Sequence, residues 1–208
     1  MADTLTLYTN PMSRGRIARW MLEEVGQPYD VKVLDFATGA KDDAYLAINP
    51  MGKVPAITHG DKVVTECAAI CAYLADAFPE AGLAPDTRDR ADYYRWLFFA
   101  AGPVEAAVTA RTMGFDPTVE QQGMAGFGSY DRTVDALEKA VSGGGWLAGD
   151  RFSAADLYVG AHLSWGVGFG TLPKREAFLT FVEKVNARPA AQRANQLDDA
   201  LMAEAQAG

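Results

Sequence analysis

Three short segments near the start of the chain carry residue types able to hold an anionic, peptide-like ligand. The first is Tyr8-Thr9-Asn10-Pro11-Met12-Ser13-Arg14, where a strand-like run ends and a hydroxyl stands at a helix start. A helix N-terminus offers unpaired N–H groups and a positive dipole end, which favour an anion. A serine hydroxyl there can donate to a thiolate; it can also be a helix cap and nothing more. The second is Asn49-Pro50-Met51-Gly52-Lys53-Val54-Pro55. A proline opening a strand has no N–H to give, and a cis bond there would expose the Val54 backbone to a peptide-like ligand; an ordinary proline-bounded loop is the alternative. The third is Val64-Thr65-Glu66-Cys67-Ala68-Ala69-Ile70, a strand running into a helix. Its backbone N–H groups suit a carboxylate and Glu66 suits an ammonium, unless Glu66 only complements its own helix dipole.

The elements that must position these segments follow from periodicity. Thr4 to Tyr8 alternates apolar and polar residues, as does Tyr29 to Val33, and both are predicted strands. Between them Ile17, Trp20 and Met21 follow a helical period that Leu22 and Val25 widen, with Glu24 exposed and Gly26 as C-terminal cap. Lys41 to Leu46 suggests a short helix. Val54 to Thr58 and Lys62 to Val64 read as strands around His59-Gly60-Asp61, and Glu66 to Phe78 as a helix. The order β-α-β-α-β-β-α is a small α/β layer. After the linker-like Pro79 to Pro85, strand signals stop. Helical runs are expected over Arg88 to about Met113, kinked at Pro103, over Val119 to Val141, over Ser153 to Leu163, over Glu176 to Val185, and after Pro189. Ser153-Ala154-Ala155-Asp156, flanked by Phe152 and Leu157, is a capping box with a hydrophobic staple, a folding device.

Composition bounds the partners. The chain has 208 residues, 49% hydrophobic and 22% charged, so it is globular rather than disordered. Its net charge of −8 argues against nucleic acid as a partner. No apolar run approaches the ~20 residues that span a bilayer, and the N-terminal residues Met1-Ala2-Asp3-Thr4 lack the basic start of a signal peptide. No membrane partner and a cytoplasmic location are therefore expected. Reduced thiols are the simplest reading of Cys67 and Cys71, and His59 and His162 are too few for a rich metal site, so no metal is expected.

Together, in this order and spacing, the three segments resemble the cytosolic glutathione transferase family, specifically its bacterial, serine-type members. The resemblance covers essentially the whole chain, including Gly149-Asp150-Arg151-Phe152-Ser153-Ala154-Ala155-Asp156. It implies an α/β thioredoxin-like N-terminal domain over residues 1–79 and an all-α helical domain over 87–208. It also implies that the residue before a cis Pro55, Val54, pairs backbone to backbone with the cysteinyl part of glutathione. Lys53 then reaches the glycine carboxylate, and Glu66 with its successor grips the γ-glutamyl end. The family usually has serine after that glutamate; here it is Cys67, a weaker donor. Ser13 matches the catalytic serine, with Asn10 alignable to the same role and Tyr8 close to the position of the donor in tyrosine-type members.

The implied activity is conjugation: glutathione, a co-substrate, is activated as a thiolate and added to an electrophilic small molecule. A glutathione-dependent peroxidase or reductase, and a non-catalytic binding protein of the same fold, are the alternatives. The family commonly forms homodimers. Phe98, Phe99 and Met113, with Trp165, Phe169 and Leu172, are candidates either for the electrophile pocket or for the core.

Overall fold

In the computed structural model, residues 4–36 and 38–207 are described. Met1–Asp3, which entered the expectation about a signal peptide, and the side chain of Lys41 lie outside the described residues. The chain divides into two compact units, residues 1–83 with 187–208, and residues 84–186.

The first unit is built on a four-stranded mixed sheet in the order β2-β1-β3-β4. β1 (Leu5–Thr9) runs parallel to β2 (Asp30–Val33) through the crossover helix α1 (Gly15–Val25), and antiparallel to β3 (Ala56–His59). β3 and β4 (Lys62–Thr65) form the hairpin expected around Gly60, whose φ is 60°. β1 is buried along its whole length, whereas the edge strand β2 is exposed, so the core lies over the sheet centre. α2 (Asp43–Leu46) and α3 (Cys67–Ala77) complete the α/β layer.

α1 buries Ile17, Trp20, Met21, Leu22 and Val25, the stripe read from the sequence. Glu24 departs from that reading: its side chain is only 6% exposed. Trp20 Nε1 donates to it at 3.0 Å, and Arg188 grips both its oxygens at 2.6 and 2.7 Å. Arg188 precedes α9 (Pro189–Ala207), which packs along α1. Between the two helices Arg19 Nε meets Asp198 at 2.9 Å, both side chains buried, and Arg16 pairs with Asp199. Residues 187–208 therefore pack with the first unit, although the sequence reading grouped them with the helical segment 87–208. The reason is electrostatic as much as apolar, because a buried guanidinium requires its carboxylate.

The second unit is all-helical: α4 (Ala91–Phe99), α5 (Glu105–Thr112), α6 (Tyr130–Val141), α7 (Ala154–Phe169) and α8 (Glu176–Asn186). Pro103 lies in a π-helical turn, Ala100–Val104, that links α4 to α5. Widening one turn accommodates a residue with no N–H to donate, so the helical run continues through Pro103. The expected helix over 119–141 starts only at Tyr130. Gly123, Gly126 and Gly128 precede it, with Gly128 at φ 65°, and Ser129 caps the helix. α7 is buried along most of its length; at Gly160 a Cβ would stand 2.8 Å from Val185 Cγ2, so the glycine permits close helix packing. Leu172 is core, but Phe98, Met113 and Phe169 are 68, 80 and 78% exposed and do not belong to it. Among the described residues no helix is long and apolar enough to cross a membrane.

Candidate functional site

Strand register brings the three chemistry-bearing segments to one end of the sheet. Tyr8 on β1 pairs with Ala56 on β3, and Ala56 pairs with Thr65 on β4. The residues leaving β1 after that row, entering β3 before it and leaving β4 after it are the three segments singled out above. All belong to the first unit.

In the first segment, Asn10 is buried and its amide is committed. Nδ2 donates to the Leu34 carbonyl at 2.8 Å, and Oδ1 accepts the Met12 N–H at 2.9 Å. Tyr8 is buried too, its ring 5.6 Å from that of Tyr45 in a small cluster with Ala56. Ser13 is half-buried. Its Oγ donates to the Asn10 carbonyl at 2.6 Å and accepts the Gly15 N–H at 2.9 Å. It therefore meets the first N–H of α1 from just outside the helix, whose N-cap position is Arg14. Of the three candidate donors, Tyr8 and Asn10 are buried and Ser13 is half-buried.

The second segment is held from behind. The Lys53 carbonyl accepts the Tyr45 hydroxyl at 2.5 Å and Asn49 Nδ2 at 2.8 Å. Burial pushes the Tyr45 phenol above its ordinary value, which keeps it a donor. Gly52 sits at φ 59°, and a Cβ there would stand 2.8 Å from the Ala40 carbonyl, so the tight approach requires glycine. The Val54–Pro55 peptide bond is cis. The strand begins at Ala56 rather than at Val54, and among the described residues no hydrogen bond engages the Val54 N–H or C=O. An unpaired backbone beside a sheet end is a place for another chain to pair. Lys53 is exposed.

In the third segment Glu66 has φ 65° and ψ 115°, a backbone state that costs a side-chain-bearing residue about 1–3 kcal/mol. Its side chain is exposed. The next residue opens α3, and Cys67 Sγ donates to the Arg14 carbonyl at 3.6 Å, joining the start of α3 to the start of α1. One turn on, Cys71 is fully buried. A hydrogen bond with Cys67, then burial, push its thiol well up, so it stays protonated and inert.

α1, α3 and α9 have no acidic residue in the first turn, whereas α2 and α4 through α8 each do. The N-cap position of α3 is Glu66 itself. The supporting roles of Tyr45 and Asn49 were missed in the sequence, where Asn49 entered only as the first residue of the second segment. The buried Thr9 hydroxyl was missed as well, because nothing local marks a strand threonine as special.

Comparison with known proteins agrees with this geometry. Residues 3–76 match the family described as glutathione S-transferase, N-terminal domain, and residues 80–165 match glutathione S-transferase, C-terminal domain. A Xanthomonas campestris protein named glutathione S-transferase GST-4.5 is 30% identical over 186 residues, which span 84% of this chain and 90% of that protein. A glutathione transferase from Methylococcus capsulatus superposes with a TM-score of 0.77 at 31% identity, covering 94% of this chain and 99% of its own. A sphingomonad glutathione S-transferase solved in complex with glutathione gives a TM-score of 0.74 at 29% identity, covering 93% and 98%.

Proposed function

The chain belongs to the glutathione S-transferase family, and from that premise we propose that it binds glutathione at the end of the sheet and conjugates its thiolate to an electrophilic small molecule. The observation that carries this reading is the row Tyr8–Ala56–Thr65, which sets the three ligand-binding segments side by side. In this reading the unpaired Val54 backbone, presented by cis Pro55, pairs with the cysteinyl residue. Lys53 meets the glycine carboxylate. The γ-glutamyl ammonium goes to Glu66, and its carboxylate goes to the N–H groups that open α3 at Cys67. Ser13 donates to the sulfur. The working form is a cytoplasmic homodimer.

The energetics of thiol activation fit these groups. A free thiol has a pKa of about 8.5, and lowering it by about one unit requires ~1.4 kcal/mol. A charge-assisted hydrogen bond contributes about 1.5–3 kcal/mol, and a helix N-terminus adds about 0.3–1 kcal/mol. Turning the Ser13 proton away from the Asn10 carbonyl gives back about 0.5–1.5 kcal/mol. The balance still lowers the thiol pKa by roughly a unit, enough to raise the thiolate fraction severalfold at neutral pH.

Passage over immobilised glutathione, followed by assays with chlorodinitrobenzene and with a hydroperoxide, tests the proposal. The expected result is retention, elution by free glutathione, and turnover of the aryl halide. Turnover of the hydroperoxide alone would move the reading to a peroxidase, retention without turnover to a binding protein, and absence of retention would overturn it.

A further inference from the structure

We propose that Thr9 is a positioning residue for thiol activation: its buried hydroxyl donates to Ser13 Oγ when the Ser13 proton turns to the glutathione sulfur. The inference rests on the reading of Ser13 given above. Thr9 ends β1 and is fully buried, and among the described residues its Oγ1 has no hydrogen-bond partner. An unpaired buried hydroxyl costs about 1–3 kcal/mol, so its retention calls for a state in which it is paired. The acceptor is close by. A Cβ on Gly15 would collide with Thr9 Oγ1 and stand 3.0 Å from Ser13 Oγ. The two hydroxyls therefore both lie within 3.0 Å of the position that a Cβ on residue 15 would take, and glycine there leaves the Thr9 hydroxyl its room at the start of α1.

The proton count completes the argument. A hydroxyl has one proton and two lone pairs. Ser13 here gives its proton to the Asn10 carbonyl and one lone pair to the Gly15 N–H. When that proton goes to a thiolate, the Asn10 carbonyl keeps the Ser13 N–H at 3.1 Å, and the second lone pair of Ser13 Oγ is open to Thr9. A donor on Ser13 Oγ makes its own proton a stronger donor to sulfur. No proton changes owner; the chain Thr9–Ser13–sulfur holds the thiolate by hydrogen bonds.

The test is the thiolate absorbance of bound glutathione against pH, with steady-state kinetics, for Thr9→Val, Thr9→Ala, Thr9→Ser, Ser13→Ala and the Thr9→Val/Ser13→Ala pair. Removing the Thr9 hydroxyl should shift the titration up by about half a pKa unit, roughly three-fold in the thiolate equilibrium. It should lower kcat with the KM for glutathione unchanged and leave thermal stability equal or higher. Thr9→Ser should behave as the parent, and the pair should shift no further than Ser13→Ala alone. If Ser13→Ala shifts the curve and neither Thr9→Val nor Thr9→Ala does, Thr9 is structural and this inference falls while the Ser13 assignment stands. If Ser13→Ala itself leaves the curve in place, the donor assignment fails and takes the role of Thr9 with it.

Discussion

Two helix starts in this protein carry the same residue type and use it differently. At α7, Ser153 and Asp156 are buried, and their polar atoms serve the chain itself. The Asp156 carboxylate accepts from the Ser153 N–H at 2.9 Å, from the Ser153 hydroxyl at 2.7 Å and from the Leu147 N–H at 2.7 Å. At α1, Ser13 is half-buried, no acid occupies the first turn, and the hydroxyl bonds the Asn10 carbonyl and the Gly15 N–H. A cap sealed by its own carboxylate has no positive end left to offer; a cap without one keeps that end available to a ligand. Serine at a helix start is therefore not itself the functional signal. What separates the two cases is whether the third residue of the helix is acidic and whether the turn is covered.

The sharpest way to break the comparison is to remove the seal at α7. Asp156→Ala should cost about 3 kcal/mol, as a lost cap plus buried unpaired N–H groups, measured by denaturant unfolding. Glutathione affinity should not change, and a loss of affinity without a loss of stability would invert the roles assigned here. The same carboxyl has a pH signature. Burial pushes it above the usual range, although three hydrogen bonds pull it down. A folded-state pKa above the unfolded one adds stability that is complete below the unfolded value, about 3.9, and is lost as pH rises through the folded value. On acidification from neutral pH, Asp156→Asn should therefore lack a gain that the parent shows; parallel stability curves would mean that burial does not govern this group.

Next in size is the start of α3. Glu66→Ala should weaken glutathione binding by about 1.5–3 kcal/mol, the range for a hydrogen bond to a charged group, as read by calorimetry. Glu66→Gly should lose the same affinity while gaining stability, because glycine accepts the positive φ without strain. Parent-like binding in both variants would remove Glu66 from the site.

Ser13→Ala is the counterpart of the α7 experiment. Turnover should fall ten-fold or more, ~1.4 kcal/mol or above, with the titration of bound thiol moved upward and stability changed by no more than about 1 kcal/mol. Asn10→Ala and Tyr8→Phe should act mainly on stability and by other routes. If one of them shifts the thiol titration and Ser13→Ala does not, the donor is misassigned.

The smallest effect belongs to Cys67→Ser. A hydroxyl donates better than a thiol, so affinity should be equal or slightly tighter, within about 1 kcal/mol. A clear loss would show that the sulfur is specifically required beside Arg14 and Cys71.

Much of the fold is legible in the chain because its signals are local. The stripe of α1, the strand β1, the β3–β4 hairpin and the capping box of α7 are each written within a dozen neighbouring residues, and each forms, although β1 is buried on both faces rather than alternately. Local signals failed where glycine chemistry outweighed periodicity, as before Tyr130, and where a side chain's environment came from far along the chain. Glu24 looks like a solvated helix position until Arg188 is folded against it. Phe98, Met113 and Phe169 look like core until the helices that carry them are packed. The three candidate segments were found individually by residue type and collectively by family resemblance, whereas their neighbouring positions come from strand pairing.

The sequence by itself determined most of the elements, their order, the helical character of the described residues after the linker, and the residue types available for thiol chemistry. All of these depend on residues close enough to meet within one turn or one strand. The tertiary structure alone decided the row Tyr8–Ala56–Thr65, the pairing of Arg19 with Asp198 179 positions away, and the burial of the Thr9 hydroxyl beside Gly15. The physical reason is that register and burial are set by which surfaces exclude water together. That is a property of the packed chain, and no window along the sequence contains it.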